Sequence, residues 1–281
     1  MASFQQMDAM IAAGEGERLF DLTRNHMKEI LWRHAAACYN FAMKLGRANE
    51  KAKKALILEG HEAAVSAYDT DDKPFHIVKW AALLSGEAID VMDDEEGLQE
   101  CVKFKEYVSK ALSLEPYDPT LLHMRGRFNY SMAKLTGGDR KSVESLFQGP
   151  VATYDDALAD FVAVDRQTKG TWLENTLYMA KCYIGKKDKQ TGVNYLRMAE
   201  RLTPADDNDW ELMDKVVKLL DKHSNGSSRK KEVERYIKDQ KNAPKIEGDW
   251  MKNVKDSKGG DAGGLSKLWK WGGEILDALD D

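Results

Sequence analysis

Apolar residues recur along this chain at intervals of three and four, between short polar stretches rich in turn-forming residues, and this is the period of buried helix faces rather than of strands. From Arg18 to Leu45, the residues Leu31, Trp32, Ala35, Ala36 and Tyr39 place large and small side chains on one face. A partner helix runs from about Asn49 to Tyr68, with Gly60, Ala64 and Ala67 at close-packing positions, and the residues from Asp69 to Pro74 end it. A second pair starts near Phe75 with Ile77, Trp80, Ala81 and Leu84, and resumes with Phe104, Val108, Ala111 and Pro116. The acidic run Asp93-Asp94-Glu95-Glu96-Gly97 between them reads as a solvated connection that also favours the positive end of the following helix. A third pair opens after Asp118-Pro119 with Leu122 and Gly126 and closes with Tyr154, Ala157 and Phe161. Between its two helices, the extra stretch from Thr136 to Thr153 carries Val143, Leu146 and Phe147 and is expected to pack rather than float.

The fourth pair, from Leu173 to Pro204, fixes the register. Met179, Ala180, Tyr183, Gly192, Leu196, Ala199 and Pro204 fall, without an insertion, at the small, bulky and helix-ending positions of a repeat of about 34 residues. That spacing resembles the tetratricopeptide pattern. The expected fold is therefore all-α, a tetratricopeptide-like helical-hairpin solenoid with a flexible C-terminal tail. Trp210, Met213, Val216, Val217 and Leu220 form one more amphipathic helix, suited to capping the open end of the last repeat. The division that follows is an N-terminal segment over residues 1–17, a helical domain over 18–223, a polar basic linker over 224–264 and an amphipathic segment over 265–281. The first contains a short helix from Phe4 to Ala13. The linker contains a surface helix from Arg229 to Lys241 with little to bury, then a flexible tether from Asn242 to Gly264. The last carries one stripe of Leu265, Leu268, Trp269, Ile275, Leu276 and Leu279 and reads as an interaction segment.

Composition narrows the class. With 281 residues, 42% of them hydrophobic and 32% charged, the chain suits a soluble helix-rich protein. No early apolar run of signal-peptide length and no run of about 18 uncharged apolar residues is found, which points to the cytosol. A net charge of -5 does not suit a nucleic-acid binder, but it leaves room for a local basic surface. Cys38, Cys101 and Cys182 lie far apart within helical patterns and read as small core residues. His61-Glu62 begins a zinc-protease motif, but Val65 stands where its second histidine is required. The histidines show no clustering along the sequence, and His34 and His76 read as ordinary helix-surface or boundary residues. No enzyme activity, cofactor or metal is expected.

Several longer stretches are more specific than the repeat. They are Leu31-Trp32-Arg33, Lys79-Trp80, Leu122-His123-Met124-Arg125-Gly126, Leu146-Phe147 with Thr153-Tyr154-Asp155-Asp156-Ala157-Leu158, and Asn175 ahead of Ala180-Lys181-Cys182-Tyr183. Through them the chain, from about Leu31 to Leu220, resembles the regulator of microtubule dynamics family. The resemblance implies association with microtubules and spindle proteins and a part in chromosome segregation, in the cytoplasm and on the cytoskeleton. An N-terminal membrane or mitochondrial anchor, carried by some animal relatives, is not expected here, and the family's paired prolines are reduced to Gly149-Pro150-Val151.

In such an array the first helices line a concave face. The residues directed into it are Arg33, Ala37 and Asn40; Val78, Ala82 and Ser85; His123, Arg127 and Tyr130; Leu177, Lys181 and Ile184. Of these, Arg33, Asn40, His123, Arg127, Tyr130 and Lys181 make a candidate groove for an acidic peptide such as the tails of tubulin, with Glu174 diluting the positive sign. Ala37 stands where a chaperone-binding clamp needs asparagine, so a co-chaperone role is not expected. Arg229, Lys230, Lys231, Arg235 and Lys238 make a second, basic candidate surface for a microtubule. The alternative reading is an adaptor at membrane contacts that uses the amphipathic C-terminal segment, whose Asp277, Asp280 and Asp281 disfavour anionic lipid.

Overall fold

The computed structural model describes residues 16–247. Among them are eleven α-helices, one 3-10 turn at Arg47–Asn49 and no strand. The expected helix over Phe4 to Ala13, the tether beyond Glu247 and the segment from Leu265 to Asp281 lie outside the described residues. In chain order the helices are α1 (Gly16–Ala42), α2 (Glu50–Thr70), α3 (Phe75–Ala88), α4 (Asp94–Leu114), α5 (Pro119–Lys134), α6 (Gly137–Leu146), α7 (Tyr154–Thr168), α8 (Leu173–Gly185), α9 (Lys189–Glu200), α10 (Asp207–His223) and α11 (Lys230–Gln240).

Their starts are set by short polar side chains. Asp93 accepts from the Glu96 amide at 3.0 Å, Asp118 from Leu121 at 3.0 Å with Pro119 opening the helix, and Asp206 from Asp209 at 2.9 Å. Each cap satisfies an amide with no partner inside its helix and contributes about 1 kcal/mol. The acidic run at Asp93 is thus the start of α4 itself. Thr153 and Asp156 cap α7 reciprocally, and α7 ends on Lys169 and Gly170 with φ of 53° and 73°.

The helices pair as α1 with α2, α3 with α4, α5 with α7 and α8 with α9, and each first helix also touches the first helix of the next pair. The result is a helical-hairpin solenoid. Phe104, Phe161, Ile57, Leu84 and Leu196 are fully buried between its layers. Gly126 is needed where α5 crosses α7, because a Cβ there would stand 2.7 Å from Phe161 Cε1. The inserted α6 packs through Val143, as expected of that stretch.

Two parts of the supposed linker are built into the body. Helix α11 seats Val233, which is fully buried, and Ile237 against the α8–α10 core, and Tyr236 stacks on Trp210 at 5.3 Å. The expectation of a helix with little to bury fails because Val233, Tyr236 and Ile237 form a compact face at spacings of three and four. After it the chain runs along the α1–α2 turn: Asn49 donates to the Pro244 carbonyl at 3.3 Å, and the Ile246 amide donates to Asn49 at 2.6 Å. Residues 242–247 are therefore not a free tether.

These contacts close the array on itself. Arg47, in the first turn, reaches Asp214 of α10 at 3.2 Å and Glu211 at 3.7 Å, and Lys53 reaches Asn208 at 3.3 Å. Gly46 lies so close to Asp207 and Tyr236 that a Cβ would fall 2.8 Å from the Asp207 Cβ.

Candidate functional site

The first helices α1, α3, α5, α8 and α10 touch one another in succession, with α5 in the middle of the row. His123 and Arg127 are one turn apart on α5, the spacing that brings both to one side. The structure places them inside. His123, Arg127 and Tyr130 are all buried, and only 8% of the Arg127 side chain is exposed.

Arg127 is held by three carboxylates. Its Nη1 is 2.9 Å from Glu87 and 3.5 Å from Glu174, and its Nη2 is 3.7 Å from Asp90. Burial works against the guanidinium charge, and Glu87, Glu174 and Asp90 more than restore it. Burial likewise opposes ionisation of Glu174, but Arg127 and His123 outweigh it and hold its carboxyl far below the usual range. His123 Nε2 lies 3.2 Å from Glu174, its Nδ1 lies 3.1 Å from Asn175 Oδ1, and Trp172 covers the ring at 4.3 Å. The expectation of an open cationic groove is corrected at this point. The inner positions themselves carry no acid, but Glu87 and Asp90 reach in from the last turn of α3 and the residues after it, and Glu174 from the first turn of α8. Buried charges persist only when paired, and this cluster pairs its cation internally.

Of the other groove residues, Tyr130 and Lys181 share the ring of Tyr178 with Arg127, whose guanidinium lies 5.9 Å over it, and Arg33 and Asn40 lie apart. Arg33 and Asn40 are exposed on α1, where Arg33 pairs with Glu29 one turn away and lies over the Trp32 ring at 4.2 Å. Lys181 is half-buried, its Nζ 5.2 Å above the ring of Tyr178. Tyr130 packs edge-on to Tyr178 at 5.4 Å.

The basic candidates divide in two. Arg229 grips Glu232 at 2.7 and 2.8 Å and donates to the Leu202 carbonyl at 2.7 Å, while Lys230 pairs with Asp221 at 2.7 Å. These two fasten α11 to the body. Glu200 completes the fastening: its carboxylate accepts from the Ser227 hydroxyl at 2.6 Å, the Ser228 amide at 2.7 Å and Arg197 at 2.9 Å. Although burial favours its neutral form, those donors hold its carboxyl down at about 2. Lys231, Arg235 and Lys238, by contrast, are exposed along the outer side of α11, opposite Val233 and Ile237. Arg235 leaves 85% of its side chain in solvent. From Arg229 to Glu247 there are seven lysines and arginines against four acids. No helix among the described residues is long and apolar enough to cross a membrane.

Comparison with known proteins adds a second kind of observation. The family model described as Regulator of microtubule dynamics protein 1-3 matches residues 3–224. Regulator of microtubule dynamics protein 1 of Caenorhabditis elegans is 35% identical over 195 residues, which is 69% of this chain and 84% of that protein. Regulator of microtubule dynamics protein 1 of Pongo abelii is 27% identical over 221 residues, 77% of this chain and 70% of that protein. Regulator of microtubule dynamics protein 3 of Xenopus laevis is 29% identical over 198 residues, and there the match spans 42% of the relative.

Proposed function

Because the chain belongs to the regulator of microtubule dynamics family, we propose that it is a microtubule-associated interaction scaffold that meets an acidic partner surface through the outer side of α11. The observation that carries this reading is the row of Lys231, Arg235 and Lys238, exposed at helical spacing on a helix whose other side is packed into the body. Cations on a rigid support meet an acidic lattice without the entropic cost of ordering a free tail, and attraction of this kind weakens as salt is added. The spindle and chromosome segregation, implied by the family resemblance, are the setting we propose for it. The row lies beyond residue 224, where the family match stops, so this contact is proposed for this chain and not for its relatives.

A second reading keeps the acidic peptide on the inner face. With His123, Arg127 and Tyr130 buried, it rests on the rim residues Arg33, Asn40 and Lys181.

Co-sedimentation of the pure protein with microtubules at low and high salt tests both. The Lys231→Glu, Arg235→Glu, Lys238→Glu triple variant is expected to lose most of the low-salt binding while keeping its helical spectrum. Unchanged binding would remove α11 from the mechanism, and loss in Arg33→Glu, Lys181→Glu instead would support the rim. Deleting everything after His223 is a poorer test, since it also strips the cover from Trp210 and the α1–α2 turn.

A further inference from the structure

The first hairpin brings together three side chains with the chemistry of a metal site. His34 and Cys38 are one turn apart on α1 and so share a face. Glu59 comes from α2, which runs back along α1. All three ligand atoms lie within 4.8 Å of one another. Gly60 allows the approach: a Cβ at that position would stand 2.8 Å from the Cβ of Cys38, so a bare backbone there lets α2 come in far enough to present its neighbour Glu59.

We propose that His34, Cys38 and Glu59 bind a zinc-type divalent cation that staples α1 to α2, with the fourth position taken by water. His34 Nε2 and Cys38 Sγ are 3.6 Å apart. A tetrahedral ion with a nitrogen at about 2.0 Å and a sulfur at about 2.3 Å requires a separation of about 3.5 Å, so this pair already has the spacing. His34 Nε2 and Glu59 Oε1 are 2.8 Å apart, a hydrogen bond, where the same ion requires about 3.3 Å. Glu59 leaves 42% of its side chain in solvent and can withdraw by that half ångström. The imidazole then carries its proton on Nδ1, and the Nε2 lone pair and the Glu59 carboxylate both turn to the metal.

The donor set selects the ion. Imidazole and thiolate suit zinc and its neighbours and disfavour calcium and magnesium, which take oxygen ligands. Cys38 is buried behind the site, while His34 exposes 47% of its side chain, so water reaches the open position from one side. Without metal, Cys38 is a neutral thiol, its proton held up to about 11 by burial and by Glu59. On binding, the S–H bond breaks, the thiolate takes the metal, and the proton leaves to solvent. No pair of cysteines and no pair of histidines signals this site along the sequence, because its third ligand arrives from the next helix.

The experiment uses the full chain, stripped with a chelator and titrated with zinc by calorimetry and thermal melting, then with cobalt followed by optical absorption. One zinc per chain, a raised melting temperature and a thiolate-to-cobalt absorption band are expected. Cys38→Ser should abolish the band. His34→Gln, at a half-exposed position that leaves the core intact, and Glu59→Gln should each weaken zinc binding about tenfold or more. The proposal is overturned if zinc does not bind one to one, if the band persists in Cys38→Ser, or if His34→Gln and Glu59→Gln bind as the wild type does.

Discussion

Arg127 shows how a single position changes meaning between sequence and structure. Its assignment to an inner face follows from the repeat register, and the structure buries its side chain among α3, α5 and α8. Its partners were not legible, because Glu87 and Asp90 are some forty residues earlier and Glu174 some fifty later. Only the curvature of the array brings those helix ends to one guanidinium. Arg127→Glu would set a fourth carboxylate beside three and remove the guanidinium that all three face. The cost expected is roughly 3–5 kcal/mol, read as a lower denaturant midpoint. A binding assay on that variant would therefore report folding and not recognition. His34 and Cys38 are the converse case: the sequence reads them as an ordinary surface residue and a small core residue, and only the fold brings Glu59 of α2 beside them. The close-packing glycines were the most legible residues, since Gly60 and Gly126 each stand where two helices leave no room for a Cβ.

Among the elements, helix starts were legible wherever aspartate or threonine precedes an apolar run, because such side chains satisfy free amides whatever the surroundings. Helix α11 was harder to read. Val233, Tyr236 and Ile237 are too few to announce a buried face, and what they pack on, Trp210 and the turn at Gly46, is distant in sequence. Its attachment depends on Glu200, whose carboxyl lies at about 2 against an ordinary 4.5. A depressed folded value means that the stabilisation is fully present above the unfolded value and is lost as protons are taken up below it. Protection of the α11 amides against hydrogen exchange should accordingly fall between pH 4.5 and about 2. Glu200→Gln should lower it already at neutral pH, with the α1–α2 pair little affected. Equal protection in the variant would show that the apolar face alone holds the helix.

At the scale of the whole molecule, the succession of hairpins was readable from the hydrophobic period, whereas the meeting of its ends was not. That meeting depends on the small rotation between successive pairs, which no local pattern encodes. Arg47 sits between Glu211 and Asp214 at the join. Arg47→Glu is expected to open the array, seen as a larger radius of gyration in solution scattering with the helical circular dichroism unchanged. A scattering curve like that of the wild type would mean that Lys53, Asn49 and Tyr236 suffice to hold it shut.

The join also fixes a number. Solenoids ordinarily gain and lose units freely, since each unit touches only its neighbours. Here a duplicated hairpin would carry Glu211 and Asp214 a full repeat away from Arg47 and leave the Gly46 turn with nothing to meet. The join thus ties the length of the array to contacts between residues separated by 164 and 167 positions.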